Sequence, residues 1–367
     1  MKKEIKNLKG LALMGVLMLS TASFAQDAPA AEAEAPKTTF GGNLDTYYKL
    51  DASRNVGNGL TSFSSGTHNS FELGMASVYA EHNFGKASVF VDLGFGKRAE
   101  EFSYVPGSTV QIKQAYLSLE AMEGLKFTMG SWATHIGVEL VNASDNRNYS
   151  MSYAFSNGPF QNTGVKADYA FGEFNVMLGV TQPTDARSAL HAGTTQKTVI
   201  GQFGYTTDDT SIYINGTSGS TNPGTLNVTQ GDLVVNQKID DKFSVTLNGT
   251  YAAVSDDNVS GSKNWFSTVA YLKYDYSDKI KLTYRTEYFG DKDGVSTSYA
   301  TLTSMRPVPG TGLNVFSNTL SLGYNVGNLT IIPEIRLDAA KDKVFVDADS
   351  NLTKTNVFFV LGTAYRF

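Results

Sequence analysis

From Thr39 to Phe367 the chain repeats one arrangement. Two runs of about ten residues with period-two alternation flank a very short turn, and a longer polar loop separates each pair from the next. In "DKFSVTLNGTYAAV", Phe243, Val245, Leu247, Gly249 and Tyr251 alternate with Ser244, Thr246, Asn248 and Thr250. In the run after Ser277-Asp278, Ile280, Leu282, Tyr284 and Tyr288 share one face while Lys281, Thr283, Arg285 and Glu287 share the other. Tight turns fall at Phe84-Gly85, Met122-Glu123, Phe171-Gly172, Thr207-Asp209, Asp240-Asp241, Ser277-Asp278 and Val326-Gly327, which makes seven hairpins. An opening strand, "TTFGGNLDTYYKL", and a closing strand over 356–367 bring the expected number to sixteen. Periodicity is noisy over 71–82 and 226–238, which leaves fourteen and eighteen open. The remaining connections, 51–68, 98–108, 138–161, 184–195, 219–227, 255–263, 291–313 and 340–355, are long and rich in Ser, Asn, Asp, Gly and Thr. Short turns on one side and long loops on the other predict an all-β fold, a transmembrane antiparallel β-barrel with short periplasmic turns and long extracellular loops.

The amino-terminal segment agrees with that destination. "MKKEIKNLKG" is basic, "LALMGVLMLSTASF" is apolar, and Ser23-Phe24-Ala25 has the small-x-small form of a cleavage site. Residues 1–25 are read as a secretory signal peptide, since the apolar stretch is shorter than the ~20 residues a spanning helix needs. Cleavage removes Lys2, Lys3, Lys6, Lys9 and Glu4 and moves the formal charge from −5 to −8. Residues 26–38, an Ala/Glu/Pro segment, read as a flexible spacer, and 39–367 as the barrel. The chain has no cysteine, hence no disulfide and no lipid-acceptor thiol, and no basic patch suited to a nucleic-acid partner.

Alternation alone does not separate a membrane barrel from a β-sandwich. The polar faces carry charges of both signs at mid-strand, Asp92, Lys126, Lys166, Asp168, Arg285, Glu287, Glu334 and Arg336, as a hydrated lumen would. Phe84, Phe171, Phe174, Tyr169, Tyr205, Phe243, Tyr274, Tyr276 and Tyr324 lie beside short turns, as an interfacial girdle requires. Pro333 falls on the apolar face at mid-strand, where a missing backbone donor predicts a bulge. The last stretch, "NVFFVLGTAYRF", closes the barrel against the first strand, because lipid tolerates no unpaired edge.

On these features the chain resembles outer-membrane β-barrels of Gram-negative bacteria. The resemblance implies that Phe359, Leu361, Tyr365 and Phe367 form the signal read by the barrel-assembly machinery. A narrower resemblance lies in "GLKFTMGSWATHIGVELVNASDNRNYSMSYAFSNGPFQNTGVKADYAF". Its "GLKFTMGSW" strand, Gly137–Glu139, "NRNYSMSYAF", "GPF" and "TGVKADYAF" are similar to the β-barrel porins called OmpL-like, known chiefly from the Bacteroides–Flavobacterium group. The chain departs from the family pattern at Gly130-Ser131 and at Met151. The resemblance implies a diffusion channel of the outer membrane with the solute undefined.

By analogy with sixteen-stranded porins, the loop after the fifth strand, 138–161, is expected to fold inward. Glu139, Asp145, Arg147 and Tyr149 then form a constriction facing Lys126, Lys166, Arg285 and Arg336, with Asp168, Glu287 and Glu334 also lining the pore. Pairs such as Arg285 with Glu287, or Glu334 with Arg336, are equally expected to bind each other across one face. Lysine and arginine slightly outnumber acids at these positions, which suggests a weak anion preference, and Arg285→Glu is expected to shift it toward cations. His68, His82, His135 and His191 are scattered, "DKDG" at 291–294 lacks the rest of a calcium-ligand series, and no Gly-x-Ser-x-Gly elbow is present. No cofactor and no catalysis are expected. The functional reading is passive diffusion of small hydrophilic solutes. The alternative is an interaction barrel with a blocked lumen whose loops bind a partner. Periodicity does not decide between a monomer and a homotrimer.

Overall fold

In the computed structural model, residues 35–63, 66–103, 110–189, 193–220, 226–256, 259–305 and 312–367 are described. The expected signal peptide, and all of the spacer except its last few residues, lie outside them. The alternating runs become strands that pair with their sequence neighbours. They are β1 (Lys37–Asp51), β2 (Ser70–Phe84), β3 (Ala87–Phe95), β4 (Gln111–Met122), β5 (Leu125–Ala133), β6 (Gln161–Phe171), β7 (Phe174–Thr181) and β8 (Thr198–Thr206). They continue as β9 (Thr210–Ser220), β10 (Leu226–Lys238), β11 (Phe243–Asp256), β12 (Val259–Asp275), β13 (Ile280–Asp291), β14 (Leu313–Val326) and β15 (Leu329–Ala340). A small hairpin, β16 (Phe345–Val346) with β17 (Leu352–Thr353), sits in the last loop before β18 (Thr355–Arg366). Every barrel pair is antiparallel, and β18 returns to β1, so sixteen strands close one barrel. Closure runs from Asn43 opposite Arg366 to Asp51 opposite Phe358, and Gly42 and Phe367 exchange two backbone hydrogen bonds of 3.1 Å. No strand edge meets lipid.

All seven tight turns lie between the strands expected to flank them. The first strand begins at Lys37, two residues before the expected boundary. Two loops are shorter than expected. Of 255–263 the described residues are all strand, with β11 running to Asp256 and β12 starting at Val259, and of 219–227 the described residues belong to β9 and β10. Polar serines and asparagines mark a loop only where lipid or core must be faced. Above the membrane, water accepts both faces of a hairpin, and ladder pairing alone extends it. The bulge expected at Pro333 is absent. Ser321 opposite Glu334 and Tyr324 opposite Ile331 keep one register on the β14 side, and the β18 side pairs without a break through Pro333 and Leu361. Bulges sit instead between β1 and β2 at Asp45/Thr46, between β3 and β4 at Asp92/Leu93, and between β4 and β5 at Glu120/Met122.

The outer wall is apolar, with Leu117, Met129, Leu178, Val199, Ile214 and Ile335 among its exposed side chains. Near the short turns Tyr169, Phe171, Phe174 and Tyr205 pack in a chain with ring centroids 5.2–5.7 Å apart, the last pair tilted, one arc of an aromatic girdle. The inner wall is polar around most of the barrel. Among the apolar stretches of that inner wall is β18, whose inward Phe358, Val360 and Ala364 join Tyr47, Ile332 and Tyr149 in a buried cluster. An apolar inner strand needs a cover, and the loop after β5 supplies it.

Candidate functional site: the lumen and its inward loop

Residues 134–160 connect β5 to β6 and run inside the barrel. At the base, the Thr134 N–H donates to the Phe160 carbonyl at 2.9 Å, so the β5–β6 ladder continues one pair past its strands. The descending arm crosses the wall of β9 to β11. There His135 Nε2 lies 3.1 Å from the Gly216 carbonyl, and the Gly137 N–H donates to Asp232 at 3.0 Å. Asp232 is held for this by the amides of Asn215 at 2.8 Å and Asn248 at 2.6 Å. Gly137 has φ +81°, a turn that favours glycine.

The arm then reaches β13 to β15, where four charged wall residues grip backbone. Glu334 accepts N–H groups from Tyr149 at 2.7 Å and Ser150 at 3.1 Å, with the Ser321 hydroxyl as a third donor. Arg285 donates to the Ser150 carbonyl and to Glu139, both at 2.6 Å. Glu139 in turn accepts the N–H and hydroxyl of Ser152. Arg336 donates to the Met151 carbonyl at 2.6 Å and to Asp338 at 2.8 Å. Glu287 accepts N–H groups from Tyr153 at 2.8 Å and Ala154 at 2.7 Å, the first turn of the short helix α1 (Tyr153–Asn157). A helix leaves its first N–H groups without internal partners, and a carboxylate satisfies both their hydrogen bonding and their partial positive charge. Ser152 caps the same helix by accepting from Phe155.

Tyr149 anchors the turn of the loop. Its hydroxyl donates to Asp45, and its ring fills a notch cut by glycine. A Cβ on Gly362 would come within 2.3 Å of the Tyr149 ring, and one on Gly74 would strike Asp45 and the Tyr149 hydroxyl. The tip below it carries two ion pairs, Arg147 to Asp275 at 2.7 Å and Arg366 to Asp145 at 2.9 Å. At the other end, Asp185 accepts N–H groups from Phe160 at 2.7 Å and Gln161 at 3.0 Å, which ties the exit of the loop to the β7–β8 connection. Burial lifts the Asp185 carboxyl to about 7, against the two N–H donors that pull it down.

Loop 138–161 thus lies inside, but the charges expected to oppose one another across water clasp instead. Arg285, Glu287, Glu334 and Arg336 are 1% exposed or less, covered by the loop rather than bordering open space. Their partners also differ from the expected ones: Arg285 pairs with Glu139 and Arg336 with Asp338, not with Glu287 and Glu334. Across the barrel, Lys166 and Asp168 pair at 3.1 Å with side chains 20% and 30% exposed. Lys126 stands in the ladder between Glu120 and Asp168, near the short-turn mouth. Phe359, Leu361 and Tyr365 line the outer face of β18, with Phe367 exposed beside them.

Sequence reasoning missed the Asp232 bracket and the Asp185 clasp. It also missed the inner face of β18, although "FFV" at 358–360 is apolar on both parities. His68 accepts from the Asp51 N–H, His82 contacts Thr38, and His191 lies outside the described residues. No group of three metal-ligating side chains forms among the described residues. Asp291 of "DKDG" accepts the N–H groups of Val295 and Ser296, a turn role.

Residues 37–367 match the family described as Putative beta-barrel porin-2, OmpL-like. The chain belongs to that family. It is an outer-membrane, non-enzymatic β-barrel of a Gram-negative bacterium. A search of curated proteins returns no match to this OmpL-like chain. Among solved structures, it is similar to the anion-selective porin of Comamonas acidovorans, with TM-score 0.63, 11% identity, and 91% of this chain and 100% of that one covered. Similarity to Salmonella typhi OmpF in complex with daunomycin gives TM-score 0.62 at 9% identity, covering 90% and 98%. For Vibrio cholerae OmpT in its trimer form the values are 0.60 and 13%, covering 91% and 100%. At these identities the likeness is one of fold.

Proposed function

We propose that this OmpL-like porin is a narrow passive diffusion channel for small hydrophilic solutes and ions, constricted by the inward loop. The observation that carries this reading is the asymmetry of the lumen. Loop residues 148–154 are fixed to β13–β15 and β18, while the facing wall keeps Lys166, Asp168 and Gln202 partly exposed. A plug fastened to one side by buried charges leaves passage along the other, with polar groups to replace a solute's hydration. Planar-bilayer recording of the folded barrel under a salt gradient tests it. Small, stable open steps support the channel. Silence from a correctly folded barrel overturns it and favours the second reading, an interaction barrel, for which the apolar seal between the loop and β18 speaks. The same reading extends to trimeric assembly, by likeness to the OmpT trimer, and to recognition of Phe359, Leu361, Tyr365 and Phe367 by the barrel-assembly machinery.

A further inference from the structure

The tip of the inward loop divides two cavities on the short-turn side of the lumen. The larger, about 320 Å³, lies between residues 144–147 and the wall, bordered by Lys281, Thr283, Gly323 and Asn325. The smaller, about 150 Å³, shares Asp145, Asn146 and Arg147 with it and is bordered by Tyr271 and Lys273. Around this space stand Arg147, Arg366, Lys273 and Lys281 with the carboxylates of Asp145 and Asp275, and Glu139, already paired with Arg285, borders the smaller cavity. Arg147 engages both oxygens of Asp275, at 2.7 and 3.2 Å, and Arg366 engages Asp145, so these four charges cancel in pairs. Two lysines remain. The Lys281 ammonium has no hydrogen-bond or ion-pair partner among the described residues, although its backbone lies directly opposite Asp275. Lys273 donates only to the neutral Thr246 hydroxyl at 2.9 Å, and in the ladder it stands opposite Thr283, which borders the larger cavity.

On the far side of Lys281 the ladder partner is Gly323, which sends no side chain into the space. The cavity therefore owes its width to a missing side chain and its charge to two lysines without an ion-pair partner, Lys273 also lying over the Tyr271 ring at 5.9 Å. Low-dielectric walls focus such a field, and a space of this size holds a small oxyanion with part of its hydration shell, a water occupying about 30 Å³. We propose that the cavity beneath the loop tip is an anion subsite for small oxyanions of the phosphate or carboxylate class, with Lys281 as direct ligand and Lys273 and Arg147 setting the field. The subsite rests on the diffusion reading for its purpose, in gathering anionic solutes at the narrow zone, but not for its existence.

The test is calorimetric titration of the detergent-folded full barrel with inorganic phosphate at low ionic strength. Saturable binding is expected. Lys281→Gln with Lys273→Gln is expected to weaken it about tenfold or more. Lys281→Arg is expected to retain it, and Lys238→Gln, at an exposed lysine paired with Asp241 in the β10–β11 turn, to leave it unchanged. Absence of saturable binding overturns the proposal, as does undiminished binding by the Lys281/Lys273 variant or by Lys281→Gln alone. Phosphate binding by a barrel that carries no current would end the diffusion reading and leave the subsite standing. A conducting barrel that binds no phosphate would do the reverse.

Discussion

At the scale of single residues, the wall charges act as fasteners. Removing one partner of a buried, hydrogen-bonded ion pair costs about 3–5 kcal/mol because the other charge is left uncompensated. Arg285→Glu would set a third carboxylate beside Glu139 and Glu334, so its main effect is to free the loop rather than to reset ion preference. Hydrogen exchange should show loss of protection at the Tyr149, Ser150, Tyr153 and Ala154 amides, and single-channel conductance should rise. Retained protection with a simple shift in reversal potential would restore Arg285 to the role of pore-lining charge. The Tyr149 notch gives a second residue-scale prediction. Gly362→Ala overpacks the ring and should cost about 1–3 kcal/mol, measured as earlier loss of loop protection in denaturant. In a Tyr149→Ala background the same change should cost little, since the clashing ring is gone; equal cost in both backgrounds would mean Tyr149 is not what Gly362 accommodates.

At the scale of elements, the loop is fastened at its base as well as along its length. Asp185 binds the backbone of Phe160 and Gln161, and Phe160 packs with Phe155 of the same loop and with Phe63 and Phe102 from two other stretches of the chain. Because the Asp185 carboxyl is lifted to about 7 from a free value near 3.9, its neutral form is the one the folded loop favours. The contribution to stability is therefore fully present below about pH 4 and is lost as pH rises through about 7. Amide protection at Phe160 and Gln161, corrected for intrinsic exchange, should fall over that window, and Asp185→Asn should flatten the dependence. A profile unchanged by Asp185→Asn would assign the pH effect elsewhere. The inner face of β18 is part of what the loop covers: without it Phe358, Val360 and Ala364 would face water in the lumen.

At the scale of the whole molecule, barrel and plug are separable in their bonding. The wall closes through its own ladders, from β1 around to β18, and no ladder between barrel strands depends on residues 139–157. Replacing that segment by a short flexible linker should leave a folded barrel with circular dichroism of β-sheet. Its conductance should be several-fold larger, at some loss of thermal stability from the exposed β18 face. An unfolded product would show that the plug is required for closure. Unchanged conductance would place the narrow zone elsewhere.

The sequence by itself determined the wall. Period-two alternation, seven turn positions and the split between short and long connections pointed to about sixteen strands, because lipid imposes one rule on every strand and the rule is local. Noisy periodicity over 71–82 and 226–238 left fourteen and eighteen open. It misjudged 255–263, where water beyond the membrane relaxes that rule, and Pro333, whose missing donor interrupts only the β14 side of the ladder while the register holds. What the lumen does with its charges was decided by tertiary structure alone. Arg285 and Glu139 are 146 residues apart, and Glu334 and Tyr149 are 185 apart, so no spacing along the chain marks them as partners. An inward charge reads the same in sequence whether it meets water or the backbone of a folded-in loop, and only the path of that loop distinguishes a charge that binds solute from one that holds the plug.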